Sequence, residues 1–178
     1  FEDPLTNVPL VVKPAAGTPL RPGVNDALVQ LNDLPATVWE MTGVQPDYIQ
    51  FGQSLCGTIA DGGPHRDAVF CEGGRLRGEV QAMEPEHGPP SPYWPRISTQ
   101  HESDAAHTKG CMIRMGSLKY ILRLYEDDQL YDLEKDPMEL ENRIDDPAYA
   151  DALRAMKERM LRFYMETGDF VPTRMDKR

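Results

Sequence analysis

The chain has 178 residues, of which 40% are hydrophobic, and a formal net charge of −10. This hydrophobic fraction suits a folded protein with a packed core and argues against general disorder. Acidic residues outnumber basic ones by 29 to 19, and no basic stripe is present. Such a chain repels a phosphate backbone, so nucleic acid is not expected as a partner. No apolar run approaches the roughly 18 residues that span a bilayer, so no membrane span is expected.

The first 62 residues predict one strand followed by one helix. The apolar, β-branched run at residues 8–12 predicts a strand that is buried on both faces, as in a parallel sheet. Residues 27–43 predict a helix with Asp33 as its N-cap and Gly43 at its end. The spacing of three apolar residues predicts the buried face of this helix: Leu34, Val38 and Met41. A strand followed by a helix is typical of α/β domains.

The middle of the chain predicts an antiparallel sheet. Residues 68–71 predict a short strand, whereas residues 73–109 show no usable periodicity and predict a long loop. From Cys111 onward, apolar and polar residues alternate in three runs, separated by turns at residues 116–117 and 126–128. This pattern predicts a three-stranded meander, which the strand at 68–71 extends to about four strands.

Two helices are predicted after the meander. Asp136, Pro137 and Glu139 have the spacing of a capping box and predict a short helix. Asp146 and Pro147 begin a longer helix, which ends at Gly168 and carries one apolar stripe. The stripe consists of Tyr149, Leu153, Met156, Met160 and Phe163. Its spacing predicts a helix that packs on one face of the meander.

Five segments, in this order, resemble the C-terminal end of sulfatases of the alkaline phosphatase superfamily. Residues 1–10 are similar to the family's Y-E-E-S-x-R-V-P-L stretch, and residues 31–44 to its D-L-x-P-T…G-I helix. Residues 52–55 match G-x-S-L, and residues 119–121 match Y-K-Y-I without its first aromatic. The most specific match is at residues 130–142, which read L-Y-D-L-E-K-D-P-M-E-L-E-N against L-Y-D-L-x-x-D-P-x-E-x-x-N.

This resemblance implies an α/β fold class, in which the end of an alkaline-phosphatase-like mixed-sheet domain is followed by an α+β subdomain. Residues 1–62 would be the last strand and helix of an incomplete catalytic domain. Residues 63–178 would be the C-terminal sulfatase subdomain, a sheet of about four antiparallel strands with a long helix. The polar residues of segment 130–142 are interpreted as structural. The remainder of the catalytic domain is then the expected partner, and the compartment stays open because the chain begins without a leader.

The resemblance also implies where the chemistry lies. Members of the family make a formylglycine nucleophile from Cys or Ser in a C/S-x-P-x-R motif, and a divalent cation, with calcium expected, activates it. Cys56, Cys71 and Cys111 do not fit this motif. Only Cys71 has an Arg four residues on, and Gly73 stands where Pro is required. The chain is therefore expected to contain no catalytic residue, to bind no cofactor and to be inactive by itself.

No metal-binding pattern is found in the sequence. The acidic segment 126–136 lacks the central Gly and the final Glu of an EF-hand loop, so it is interpreted as a solvated turn. The four histidines form no HxxxH or HExxH pair, and most of them are expected to be exposed in loops. They are His65, His87, His101 and His107.

One functional contribution is predicted for the loop at residues 73–109. Arg75, Arg77 and His101 are predicted to face the substrate pocket of the complete enzyme, because Arg can bind sulfate or carboxylate through two parallel hydrogen bonds. Aromatic residues of the same loop, Tyr93 and Trp94, could stack on a sugar or aryl group. The alternative is that these are ordinary solvated loop residues.

The sequence is consistent with three functions. The first is a fragment of a sulfatase that hydrolyses sulfate esters of carbohydrates or aryl compounds, with a sulfated small molecule or carbohydrate as the partner of the full-length enzyme. The second is a fragment of a phosphonate or phosphate ester hydrolase of the same superfamily. The third is a non-catalytic binding module, which requires residues 1–62 to fold without the missing sheet.

Overall fold

The computed structural model describes residues 1–83 and 88–169. Two compact units are present. The first consists of Phe1–Thr6 and Phe70–Leu153, and the second of residues 7–69 together with the described residues from Arg154 onward. The α-helices are α1 (Asp3–Thr6), α2 (Asp33–Thr42), α3 (Cys56–Asp61), α4 (Trp94–Glu102) and α5 (Ala150–Thr167), and the strands are β1 (Val69–Gly73), β2 (Gly110–Met115), β3 (Leu118–Arg123) and β4 (Gln129–Asp132).

The four strands form one antiparallel sheet in the order β1-β2-β3-β4, which confirms the predicted meander. The register pairs Ile113 with Tyr120 and Tyr120 with Leu130, so these three side chains lie on the same face, and all three are buried. The opposite face carries the buried residues Met112, Ile121 and Tyr131, against which Phe1, Cys71 and Leu133 pack. Both faces are covered, which gives the first unit its core.

Local interactions hold the turns of this sheet. Gly116 has a φ of 56° in the turn between β2 and β3, a conformation that favours glycine. Between β3 and β4, the carboxylate of Asp128 accepts hydrogen bonds from the Tyr120 hydroxyl at 2.7 Å and the Arg123 amide at 3.2 Å. Burial of Tyr120 and its bond to this carboxylate raise the pKa of the phenol. Residues 126–128 thus connect β3 to β4, whereas the rest of the segment 126–136, interpreted as a solvated turn, contains β4, where Leu130, Tyr131 and Asp132 are buried.

The segment that follows β4 is held to the sheet by its polar residues. The side chain of Asn142 accepts from the Leu130 amide at 2.9 Å and donates to the Asp128 carbonyl at 3.1 Å. The Asp136 carboxylate accepts from the amide of Glu141 at 2.8 Å. These contacts explain why the motif at residues 130–142 needs Asp and Asn at these positions: they replace the backbone partners that a regular element would supply.

The short helix predicted from Asp136 onward is wrong. The chain makes turns there, and Glu139 has a φ of 56°, in the left-handed region that is uncommon outside glycine. In a capping box the Glu139 carboxylate would return to the start of its own helix. It binds Lys119 of β3 instead, at 2.8 Å, and this buried ion pair outweighs the local preference for a helix.

The last helix is confirmed. Asp146 accepts a hydrogen bond from the Ala148 amide at 3.0 Å and starts a 3₁₀ turn at Pro147–Tyr149, which continues into α5. The helix ends at Thr167, one residue before the predicted stop at Gly168. Met156 and Met160 are buried, and the other stripe residues, Tyr149, Leu153 and Phe163, are partly buried.

In the second unit, α2 ends as predicted and begins later. Gly43 caps its C-terminus with a φ of 71°. Residues 27–32 are not helical, and Asp33 is the first helical residue rather than the N-cap, which is Asn32. The predicted buried face is also wrong, because Val38 is 56% and Met41 40% exposed.

The strand predicted at residues 8–12 is absent. These residues form neither a helix nor a strand, and Val11 is 91% exposed. A central strand needs a neighbour on each side, and the described residues of this unit provide none. The long loop predicted at 73–109 also differs, because it contains α4 and a 3₁₀ turn at Val80–Ala82.

Candidate functional site

All three predicted substrate-binding residues lie in the connection between β1 and β2, residues 74–109. His87 falls outside the described residues. Gly74 begins the connection with a φ of 89°, and a Cβ there would lie 2.3 Å from the Thr108 carbonyl oxygen. The backbone at Gly74, where the connection leaves the sheet, therefore lies very close to the backbone at Thr108, where the connection returns to it. Glycine is required at this point because it has no Cβ.

The side chain and backbone of Arg75 stabilise this close approach of the two ends of the connection. Its side chain is 3% exposed, and its Nη1 donates to Asp104 Oδ1 at 3.0 Å. Its Nη2 donates to the carbonyls of Asp104 and Ala106 at 3.2 and 3.4 Å. The Arg75 backbone adds bonds to His107 and Lys109, at 3.1 and 2.9 Å. Arg75 thus ties the beginning of the connection to its end.

Arg77 is exposed to solvent, unlike Arg75. Its guanidinium carbon lies 4.5 Å from the centroid of the Tyr125 ring, a cation–π contact that orients the side chain. The hydrogen bond from Arg75 is the main cause that holds the pKa of Asp104 below its usual range, and the Gly78 backbone and the charges of Arg75 and Arg77 add to it.

Helix α4 is anchored by its own buried face and by His107. Pro95 lies in its first turn, where a missing N–H costs nothing, and Ile97 and Gln100 are buried. His107, which has a φ of 57°, contacts the helix through both ring nitrogens: Nε2 lies 3.0 Å from Thr99 Oγ1 and Nδ1 lies 3.3 Å from Gln100 Nε2. These contacts fix the direction of the helix relative to the ends of β1 and β2.

Helix α4 also carries an aromatic pair, beside its buried face. Trp94 and His101 are seven residues apart, two helical turns, and their ring centroids lie 5.6 Å apart at 32°. His101 is exposed, and Trp94 is partly buried. Neither a hydrogen bond nor a ring contact joins His101 to Arg77 within the part of the chain that the structure describes. The structure therefore places Arg75 against Asp104, Arg77 against Tyr125, and His101 against Trp94.

A buried polar cluster in the second unit was missed in the sequence. Asp33 is fully buried, and its carboxylate binds Arg66 through both oxygens and His65 Nε2 at 3.2 Å. Backbone amides of Gln30 and Gln53 each donate to it at 2.8 Å. Burial by itself raises the pKa of Asp33, but the bonds from Arg66 and the two amides outweigh it, and the pKa lies below its ordinary value of 3.8.

This cluster corrects the expectation for His65. Its side chain is only 6% exposed, so it is not a solvated loop residue. Asp33 connects the start of α2 to two later segments of the unit, because its partners Gln53 and Arg66 follow it by 20 and 33 residues. Its carboxylate has all its acceptor positions occupied, which indicates a structural role.

A second buried cluster joins α1 to the sheet. Lys119 is fully buried, and its Nζ lies 2.5 Å from Asp3 Oδ1, 2.8 Å from Glu139 Oε1 and 3.1 Å from the carbonyl of Phe1. Arg114 also reaches Asp3, at 3.3 Å. Three segments that resemble sulfatase motifs therefore meet at one lysine. The positions carrying that resemblance contribute ion pairs to the fold.

The described residues assemble no metal centre, and the surroundings of Cys71 do not activate its thiol. Burial raises the pKa of the Cys71 thiol, which disfavours the reactive thiolate. Within residues 1–83 and 88–169, three or more His, Cys, Asp or Glu side chains never meet in a way that could hold a metal ion. In the same residues, every helix is too short or too polar to cross a membrane.

Comparison with known proteins supports the resemblance through structure. No protein-family model matches the chain, and neither does any curated protein. The phosphonate monoester hydrolase of Agrobacterium radiobacter is 25% identical, with a TM-score of 0.53 over 75% of this chain and 24% of that one. A putative sulfatase from Bacteroides thetaiotaomicron is 23% identical, with a TM-score of 0.54 over 77% and 25%. A protein solved with its substrate D-glucosamine-2-N,6-O-disulfate is 17% identical, with a TM-score of 0.53 over 81% and 25%.

The chain spans about a quarter of the length of these solved structures. Its four-stranded antiparallel sheet and final helix have the fold of the C-terminal part of sulfatases. The chain thus shares its fold with solved structures of the group of enzymes that the motif at residues 130–142 resembles.

Proposed function

We propose that this chain is the C-terminal portion of a sulfatase that hydrolyses sulfate esters of carbohydrates or aryl compounds. The observation that carries the proposal is the agreement of two independent signals. The sequence motif at residues 130–142 and the fold lead to the same part of the same group of hydrolases. The motif residues also have physical roles in this structure, because Glu139 pairs with Lys119 and Asn142 bonds the end of the sheet.

The chemical step is assigned to residues outside this chain. Hydrolysis of a sulfate ester needs a strong nucleophile and neutralisation of charge on the transferred group. In the proposed full-length enzyme a formylglycine and a divalent cation, with calcium expected, would supply both. The described residues do not fit either group, since their cysteines lie outside the required motif and their acidic and histidine side chains form no metal cluster. The chain by itself is therefore proposed to be inactive.

The contribution proposed for this chain is one side of the substrate pocket. Arg77 is the best candidate for contact with an anionic group, because it is exposed and its guanidinium is oriented by Tyr125. A guanidinium binds sulfate through two parallel hydrogen bonds. The paired rings of His101 and Trp94 lie in the same connection between β1 and β2, and aromatic rings suit contact with a sugar or aryl ring. Arg75 is proposed to act indirectly, because it stabilises the connection that carries Arg77 and His101.

The test uses the complete reading frame that contains this chain. Turnover of an aryl sulfate is expected to exceed that of an aryl phosphonate monoester, and a preference for the phosphonate would assign the protein to the alternative hydrolase. The 178-residue chain is expected to release neither product. Turnover by this chain alone, above that of a mock preparation, would contradict the proposed division of roles.

The proposed contact of Arg77 has its own test. Arg77→Ala should raise KM for a sulfate ester by about tenfold with little change in kcat, because the loss of one charge-assisted bond that forms in both ground and transition states acts on binding. Arg162→Ala, an exposed arginine on α5 paired with Glu158, is the matched control and should leave KM unchanged. An unchanged KM for Arg77→Ala, or an equal rise in both variants, would contradict the contact.

A further inference from the structure

The turn at residues 76–80 carries an oriented cation between two exposed apolar side chains. Leu76 is 39% and Val80 64% exposed. Between them in sequence lies Arg77, whose guanidinium carbon is 4.5 Å from the centroid of the Tyr125 ring. Single apolar residues are ordinary on a protein surface, but here two of the five residues of one turn flank a charged group. Such a surface suits an anionic molecule that has an apolar body.

The turn is held in shape by its own hydrogen bonds. The Leu76 amide donates to the Glu79 carboxylate at 2.7 Å, and the Glu79 amide donates to the Leu76 carbonyl at 3.2 Å. The Val80 amide donates to the carbonyl of Gly78 at 2.9 Å, and Gly78 has a φ of 82°, which favours glycine. The Gly78 backbone also bonds the Asp104 carboxylate, near the other end of the connection. The two apolar side chains are therefore presented by an organised backbone, which lowers the entropic cost of binding a ligand.

The side chains of this turn suit hydrocarbon better than sugar hydroxyl groups. Glu79, the other ionisable residue of the turn, is partly buried and accepts the hydrogen bond from the Leu76 amide. A hydroxyl group that loses water on binding needs a new hydrogen-bond partner, whereas a hydrocarbon group does not. Contact with Leu76 and Val80 therefore favours binding of an apolar group and disfavours binding of a hydroxylated one.

The rest of the connection and the charge of the chain agree with this reading. Tyr93 is 62% exposed, and four prolines of the connection are exposed as well: Pro89, Pro90, Pro92 and Pro95. The chain has a formal net charge of −10, and its sequence contains no run of five to eight residues rich in Lys and Arg, the kind of run that binds polyanions. A multiply sulfated sugar chain would be repelled, whereas one anionic group with an apolar body finds both Arg77 and apolar side chains.

We propose that Leu76 and Val80 are specificity-determining residues, which select sulfate esters with an apolar aryl or alicyclic body over sulfate esters of carbohydrates. The inference rests on the proposed function, because it requires this connection to line the substrate pocket of the full-length hydrolase. Arg77 contacts an anionic group of the substrate, and the two apolar side chains contact the hydrocarbon beside it. These contacts form in the ground state and persist in the transition state, so the selection acts on KM.

Cyclohexylmethyl sulfate and glucose 6-sulfate are the matched substrates for the test. Both carry a six-membered ring and a primary sulfate ester, so their leaving groups are similar and the hydroxyl groups are the main difference. With the protein made from the complete reading frame, kcat/KM should be at least about tenfold higher for cyclohexylmethyl sulfate. If only the aryl sulfate turns over, the two esters serve as its competitive inhibitors, and the ratio of their inhibition constants gives the same comparison.

The outcomes separate this inference from the proposed function. Glucose 6-sulfate that is hydrolysed, or bound, as well as cyclohexylmethyl sulfate or better would overturn the inference and leave the sulfatase assignment intact. Absence of turnover with both esters and with the aryl sulfate would defeat the proposed function and the inference with it.

Substitutions in the turn distinguish specificity from a structural role. Val80→Thr keeps the branched shape and should raise KM, or the inhibition constant, of cyclohexylmethyl sulfate by about threefold without raising that of glucose 6-sulfate. Leu76→Ser should act in the same direction, and Val80→Thr remains informative if Leu76→Ser does not fold. Leu140→Ser, at a position that is 79% exposed in the same unit, is the matched control and should change neither value. Equal changes for both esters, or no change for either, in the two turn variants would contradict the assignment.

Discussion

Replacing Lys119 by methionine tests whether its ion pairs hold three distant segments together. Lys119 lies on β3 with its side chain fully buried, and its Nζ contacts Asp3 at 2.5 Å and Glu139 at 2.8 Å. Methionine has a similar length and no charge. The substitution therefore fills most of the same volume and leaves two carboxylates without their cation.

The structure indicates the size of the effect. Removing one partner of a buried ion pair costs about 3–5 kcal/mol, because the remaining charge stays away from water. Asp3 keeps a contact with Arg114 and is 23% exposed, so its share of the loss is small. Glu139 is 3% exposed, and its Oε2 has no hydrogen-bond partner among the described residues, so its share is large. We therefore expect a loss near the lower end of the range, about 3 kcal/mol.

Urea unfolding of the 178-residue chain, followed by circular dichroism, measures this loss. Arg162→Met removes an exposed helix pair with Glu158 and is the control, with an almost unchanged midpoint expected. The double variant Lys119→Met with Glu139→Gln should recover much of the stability, because a neutral amide no longer leaves a charge buried and can still accept from the Asp3 amide. A loss for Lys119→Met no greater than that for Arg162→Met, or a double variant no better than the single one, would refute the reasoning.

Two further predictions concern the other polar anchors. Asp33→Asn should lower stability at pH 7 by about 3 kcal/mol. The folded-state pKa of Asp33 lies below its ordinary 3.8, so its contribution is present above that value and is lost as the pH falls through the folded-state pKa. The difference between the urea midpoints of the two proteins should therefore stay constant from pH 7 to about 4 and shrink as the pH falls below 3.8, and a difference that stays constant below 3.8 would count against the ion pair with Arg66. Arg75→Lys should speed amide exchange at residues 104–108, since lysine cannot bridge the Asp104 carboxylate and two carbonyls at once. Arg77→Lys should not change it, and an equal effect of both would contradict a clamp at Arg75.

The sheet could be predicted from the sequence because its strands are neighbours along the chain. Alternation of period two predicts which residues lie on one face, and Gly116 marks the turn between β2 and β3. The same local logic predicts α5, whose N-terminal cap at Asp146 and apolar stripe both lie within the helix or beside it. Each of these signals acts over a few residues.

Helix α4 was missed although a local signal for it exists. Pro95 occupies the first turn, a favoured position for proline. The helix has nine residues, of which Ile97 and Gln100 are buried, so its apolar period is too short to recognise. The contacts of His107 that hold it come from outside the helix.

The candidate site could be predicted only in part. Sequence reasoning located the connection between β1 and β2 and selected Arg75, Arg77 and His101 from it. The structure separates their positions, since Arg75 is buried against Asp104 whereas Arg77 and His101 are exposed. Both residues are arginines, so residue type does not explain why one is buried and the other exposed. Arg75 is buried because it follows Gly74 directly, where the two ends of the connection lie close together.

The sequence by itself determined the antiparallel sheet, the last helix and the resemblance to sulfatases, since all three are written in short-range patterns and contiguous motifs. Only the tertiary structure decided that the runs at residues 8–12 and on α2 are uncovered, because periodicity identifies an apolar face and says nothing of its partner. It also decided which charges are buried. Lys119 meets Asp3 across 116 residues, and Asp33 meets Arg66 across 33. The free energy of a buried charge depends on such partners, which no local pattern contains.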